Sequence, residues 1–119
     1  MSRSHHPDFV YRLASSEEWC AAEETGFVPK RDIDERDGYF HLSTREQVLD
    51  TANLHFKDST NLLVLEIPLA AVSSDVKFEL APKRGEFFPH LYADLKREHV
   101  SAAIKLDKTS AGFQFGGAL

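Results

Sequence analysis

Residues 37–44 read Asp37-Gly38-Tyr39-Phe40-His41-Leu42-Ser43-Thr44, and the alternation within this stretch decides how the rest of the chain is read. In an extended segment successive side chains point to opposite faces, so Tyr39, His41 and Ser43 share one face while Phe40 and Leu42 share the other. The apolar pair claims the core. His41 is thereby turned away from it, at the carboxyl end of a strand. The Asp37-Gly38 turn signal precedes the strand and closes a charged loop over residues 30–38. Ser43-Thr44-Arg45-Glu46 follows with the spacing of a capping box, which predicts a helix to about Phe56 with Val48, Leu49, Ala52 and Phe56 facing inward. A strand end beside a helix start gathers free N–H groups and the positive end of a helix dipole, a corner suited to an anion or polar ligand.

Outward from this stretch, Phe9-Val10-Tyr11-Arg12-Leu13 alternates as a first strand. Ser15 and Glu18 form a second capping-box pattern ahead of a helix that Gly26 closes. Leu62 to Ile67 is a nearly continuous apolar run, the mark of a strand covered on both faces, and Pro68 ends it. Val76 to Leu80 alternates again. Phe87 to Tyr92 reads as extended or irregular around Pro89, a last strand falls within His99 to Leu106, and Gly112 to Leu119 reads as a tail. Strands that follow two early helices without regular strand-helix alternation predict an α+β fold. With 119 residues, 42% of them apolar, the chain is expected to form one domain over residues 1–119, disordered over 1–8 and with its core over about 9–106.

The balance of 14 Lys and Arg against 19 Asp and Glu, a net charge of -5, disfavours tight binding to nucleic acid, where cations must release phosphate counterions. A small-molecule, nucleotide-like ligand is the expected partner. The pattern carries no signal for oligomeric state. Cys20 cannot form an internal disulfide and is expected as a small buried hydrophobe beside Trp19. No apolar stretch reads as a signal peptide or membrane span, so the expected address is cytoplasmic.

Chemistry concentrates in two segments. His41 is one catalytic candidate, with Tyr39, Ser43 and Thr44 as neighbouring ligand contacts. The other is His90, where Pro89 fixes the backbone and large aromatics flank the imidazole in Phe88-Pro89-His90-Leu91-Tyr92; Tyr92 joins the ligand-binding set. Thr51 and His55, one helical turn apart, are further ligand candidates, and Glu79 and Glu86 are the nearby acids. Each has a structural alternative: Ser43 as a helix cap, the histidines as internally bonded side chains, the glutamates as surface charges. No metal-binding motif is present and no metal site is assigned. Nor is there a Gly-x-Ser-x-Gly elbow, a phosphate-cradling glycine loop or a dinucleotide fingerprint.

Trp19 with Ala22 and Gly26, the stretch Asp37 to Thr44, Gln47-Val48 with Thr51-Ala52, and Phe88 to Tyr92 together resemble the uncharacterised, mostly bacterial domain of unknown function 952 family, over roughly residues 9–106. That family resembles the ADP-ribosyltransferase fold, a split antiparallel arrangement of two small sheets holding NAD between them. The resemblance implies split sheets with two short helices, Arg12 facing the ligand, and His41 bonded to a sugar hydroxyl or phosphate. Where the histidine-type transferases carry His-Gly on the first strand, this chain has Arg12-Leu13. The implied function is binding of NAD or a related nucleotide with transfer of ADP-ribose, NAD being the candidate cofactor. A non-catalytic nucleotide-binding or interaction module and a metal-assisted hydrolase are the alternatives.

On this reading Leu42→Ala costs roughly 2–5 kcal/mol as a buried truncation, whereas His41→Ala changes stability by less than about 1 kcal/mol yet weakens binding of NAD and ADP-ribose. Thermal denaturation paired with calorimetric titration of both variants checks the contrast. Equal destabilisation would make His41 structural.

Overall fold

The computed structural model describes residues 7–118. Within these residues seven strands form two antiparallel sheets. The larger contains β1 (Phe9–Ser15), β3 (Leu62–Pro68), β6 (Ala102–Thr109) and β7 (Gly112–Ala118) in the order β1-β3-β6-β7. The smaller contains β2 (Phe40–His41), β4 (Val76–Ala81) and β5 (Glu86–Leu91) in the order β2-β5-β4. The helices are α1 (Ser16–Thr25), α2 (Asp32–Asp37), α3 (Arg45–His55) and α4 (Leu69–Val72), with single 3-10 turns at Ser73–Asp75 and Arg97–His99. The chain is α+β, as its order of elements predicts. No helix among the described residues is long and apolar enough to cross a membrane.

Alternation along β1 and β3 builds a core on each side of the larger sheet. Val10, Ala14, Leu65 and Ile67 face a cluster that includes Phe40, Leu42, Leu91 and Leu95, while Tyr11, Leu13, Leu62 and Val64 face Val48 and Ala52 of α3. The apolar run of β3 is therefore covered on both faces, as its composition predicts. The larger sheet and the site-bearing segment meet where Tyr11 and Ser43 exchange two backbone hydrogen bonds of 2.8 Å.

Several local expectations are corrected. Residues 30–38 are not simply a loop: they contain α2, whose N-terminus is closed by the backbone N–H of Arg31 donating to Asp34 Oδ2 at 2.8 Å. Its sequence lacks apolar periodicity because a buried carboxylate, not a greasy stripe, ties it to the core. The cap of α3 lies one residue later than read. Ser43 is occupied in the bridge to Tyr11, so Thr44 is the cap and its N–H donates to Gln47 Oε1 at 3.0 Å. The expected tail from Gly112 is strand β7, and the last expected strand is displaced to Ala102–Thr109. Among the described residues four helices form rather than two. Cys20 is exposed, on the outer side of α1. Of the start expected to be disordered, residues 1–6 lie outside the described residues; Asp8 accepts a 2.8 Å bond from Leu69 N–H.

One side chain of the Val10 and Ala14 face is not apolar. Arg12, 1% exposed, meets both oxygens of Asp34 at 3.0 and 2.6 Å and donates to the His41 carbonyl at 3.2 Å. It thereby ties β1 to α2 and β2. Asp34→Ala is expected to cost about 3–5 kcal/mol, because it strands a buried guanidinium. Burial pushes the Asp34 carboxyl up, but hydrogen bonds from His41 and Arg12 outweigh this and hold it well below the usual carboxylate range. The pair's contribution is thus complete above about pH 4, the unfolded carboxylate value, and is lost as pH falls below it. Urea denaturation from pH 7 to pH 2 checks both points, with the Asp34→Asn variant showing a shallower loss in acid.

Candidate functional site

The short strand β2 places His41 directly opposite His90 of β5 in antiparallel register. Both imidazoles therefore lie on the same face of the smaller sheet. Tyr39 gathers them: its ring stacks on His90 with centroids 3.9 Å apart and planes 19° apart, and lies 4.6 Å from the His41 ring. Tyr92 closes in at 5.2 Å from Tyr39, and the two imidazoles stand edge to face at 5.9 Å. Pro89 lacks an N–H, yet β5 runs between two strands. Its carbonyl still accepts from Leu42 N–H at 3.1 Å, so the proline stiffens the segment before His90 without cutting it from β2.

Carboxylates stand behind both imidazoles. His41 Nδ1 lies 2.8 Å from Asp34 Oδ1 and its Nε2 lies 2.9 Å from Asp37 Oδ2. The backbone N–H of His41 also donates to Asp34 Oδ1 at 3.1 Å. His90 Nδ1 lies 2.8 Å from Glu79 Oε1, which also accepts from the Tyr92 hydroxyl. That hydroxyl is pushed up to about 12 by its bond to Glu79, with a smaller part from desolvation. Glu79 is held below the usual range by Tyr92 and then His90. Asp37 is lowered to about 2, first by its bond to Arg36 and, against some desolvation, by its bond to His41. Burial raises the Tyr39 phenol, and Asp37 and Glu79 add to it. A cavity of about 160 Å³ opens beside the rings, with Lys30, Asp34, Glu35, Tyr39 and Tyr92 in its wall.

Of the expected site residues, Tyr39, His41, Glu79, His90 and Tyr92 come together in this cluster. Others stand elsewhere. Arg12 was expected to face a ligand but is enclosed by Asp34, with its charge already answered. Ser43 is 4% exposed and its backbone is bound to Tyr11, while the Thr44 N–H that would greet an anion is taken by Gln47. Thr51 Oγ1 accepts from Arg84 at 3.2 Å, linking α3 to the β4–β5 hairpin. His55 is exposed near the end of α3, and Glu86 accepts from Gln47 Nε2 at 3.1 Å.

Asp34 and Asp37 escaped the sequence reading. Both sat in what looked like a solvated charged loop, and the only available signal was their spacing of three residues, which puts them on one side of a helix. Their presence also revises the expectation for His41. Its imidazole is a partner of a buried carboxylate, so His41→Ala removes a hydrogen bond in the interior and is expected to cost about 1–3 kcal/mol. Among the described residues, no group of three or more His, Cys, Asp or Glu side chains is arranged to hold a metal ion.

The fold has solved counterparts. A crystal structure of protein CC0527 from Caulobacter crescentus is 34% identical, covers 89% of this chain and 93% of its own, and superposes with a TM-score of 0.81. The solution structure of CC0527 is 33% identical, with 90% and 91% coverage and a TM-score of 0.79. No curated protein of known function matches. The family profile described as "Protein of unknown function (DUF952)" matches residues 13–103, a span that includes Asp34, His41, Glu79, His90 and Tyr92, and the chain belongs to that family.

Proposed function

We propose that the cluster of Tyr39, His41, His90 and Tyr92 binds a nucleotide of the NAD class and that the chain acts as an ADP-ribosyltransferase-like enzyme at its anomeric carbon. The observation that carries this reading is the pairing of His90 Nδ1 with Glu79 at 2.8 Å, against the stacked ring of Tyr39, while Nε2 meets no hydrogen-bond partner among the described residues. An ionised carboxylate only accepts, so Nδ1 carries the hydrogen and Nε2 presents its lone pair. A tautomer fixed in this way suits a general base. His41 differs. Both its nitrogens face carboxylate oxygens, and both contacts are made only when both nitrogens carry hydrogen. Its role is to hold Tyr39 and the local charge in place.

Asp34 and Asp37 are already paired with Arg12 and Arg36, so the carboxylate left to favour a positive, oxocarbenium-like centre beside the rings is Glu79. In the proposed reaction the glycosidic C–N bond of NAD breaks and its electron pair passes to the nicotinamide nitrogen. An acceptor hydroxyl or water forms the new C–O bond, and its proton passes to His90 Nε2. The two antiparallel sheets are compatible with a split transferase-type layout. One observation favours a second reading, a nucleotide-binding module without turnover: Arg12 is enclosed by Asp34 and cannot reach ligand phosphates.

The test is incubation with NAD, with nicotinamide and ADP-ribose quantified over time, beside calorimetric titration of both nucleotides. The wild type is expected to release nicotinamide. His90→Gln should lower that rate by about 100- to 10,000-fold with an unchanged melting temperature, and Tyr39→Leu should weaken binding. NAD binding without nicotinamide release selects the module. Failure to bind either nucleotide overturns both readings.

A further inference from the structure

Residues 92–95 form a strap that borders two cavities. One is the cavity beside Tyr39 and Tyr92. The other, about 310 Å³, is lined by Val72, Asp75, Leu91, Asp94, Lys96 and His99, among others. Leu91, Ala93 and Asp94 contribute to both walls, so the two cavities are neighbours along the strap. The strap is pinned at its ends, where Tyr92 N–H donates to Asp75 O and Leu95 O accepts from Val28 N–H, each at 2.8 Å. Between them its side-chain tie is Lys30 to Asp94 at 3.7 Å, a pair exposed on both sides.

We propose that this second cavity is a hydroxyl-recognising subsite that takes a ribose-like vicinal diol, the far half of a ligand whose reacting end lies at Tyr39 and His90. The proposal rests on the nucleotide reading of that cluster. Its volume sits at the low end of the roughly 300–1,000 Å³ usual for ligand pockets, enough for one such moiety.

The lining chemistry selects the class. Asp75 and Asp94 are acceptors with little else to do among the described residues: the Asp75 carboxylate meets Ser74 Oγ at 3.4 Å, and Asp94 has the loose pair to Lys30. Donors stand beside them. His99 Nδ1 accepts the backbone N–H of Lys96 at 3.0 Å, so in the neutral ring the hydrogen resides on Nε2, which becomes a donor. The Lys96 ammonium supplies more. The floor of Val72 and Leu91 is buried and apolar, matching the C–H face of a sugar ring. Acceptors for two hydroxyl hydrogens, donors for their oxygens and an apolar floor together fit a neutral diol. A phosphate would use Lys96 but leave Asp75 and Asp94 as opposing charges, whereas a diol uses both the donors and the acceptors.

The test uses amide NMR and calorimetry on the whole chain, with adenosine, nicotinamide mononucleotide and ADP-ribose as probes, and a double variant Asp75→Asn, Lys96→Ala. Neither residue is in the core, and Asp75 bonds Tyr92 through its backbone, so the melting temperature should hold. Adenosine is expected to shift the amides of Val72, Ala93 and His99. ADP-ribose should bind the double variant about ten- to a hundredfold more weakly than the wild type, while nicotinamide mononucleotide binds both alike. If ADP-ribose binds wild type and variant equally through Tyr39 and His90, the subsite is wrong and the nucleotide reading survives. If adenosine shifts the second cavity while nicotinamide mononucleotide leaves Tyr39 and His90 unmoved, the subsite stands and that reading falls. No shift from any probe removes both.

Discussion

The ion pair of Arg12 and Asp34 is the constraint on which the site depends. Both side chains are cut off from water, and a buried pair is tolerated only when its remaining hydrogen-bonding capacity is filled. Asp34 comes close to that limit: its two oxygens accept from Arg12, from the backbone N–H groups of Arg31 and His41, and face His41 Nδ1. Arg12 is less complete. Its Nε is buried without a partner among the described residues, and burial lowers the guanidinium despite its bonds to Asp34. The residual cost falls on a side chain that also joins β1, α2 and β2, so its return is geometric definition rather than net stability.

That definition passes directly to the imidazoles. Asp34 fixes His41 through ring and backbone together, which sets β2 in register with β5 and puts His41 across from His90. Tyr39 can then stack on His90 because it shares the His41 face. The two histidines end in different circumstances although they are register partners. His41 is bracketed by two aspartates, whereas His90 is held by one carboxylate that also takes the Tyr92 hydroxyl. Chemical identity alone does not assign a role to an imidazole; the number of its nitrogens already committed does.

Much of the scaffold around this cluster is ordinary local chemistry. The α1 cap is reciprocal, Ser15 and Glu18 each bonding the other's backbone N–H at 3.0 and 2.9 Å. Gly26 and Gly38 leave α1 and α2 with φ of 87° and 82°, a left-handed exit that a side chain would strain. The second exit aims the chain from α2 into Tyr39 and β2, so one glycine sets the approach of the ring that unites the site.

What the sequence determined by itself was local. Alternation in Tyr39 to Ser43 assigned His41 and Phe40 to opposite faces, and the structure buries Phe40 and Leu42 while leaving His41 half-exposed. The Ser15 cap, the doubly covered β3 and the α+β class were readable for the same reason: each follows from neighbours within a few residues. Tertiary structure decided the rest. Asp34 looked like one more charge in a polar loop, because nothing within α2 announces a guanidinium 22 positions upstream. Ser43 looked like a cap until Tyr11, from the first strand, took its backbone. The strand β7 was hidden because its glycines weaken β-propensity, and pairing with β6 overrides that preference. Partners distant in sequence leave no periodicity behind, so a buried charge and the helix it anchors become visible only when the chain has closed around them.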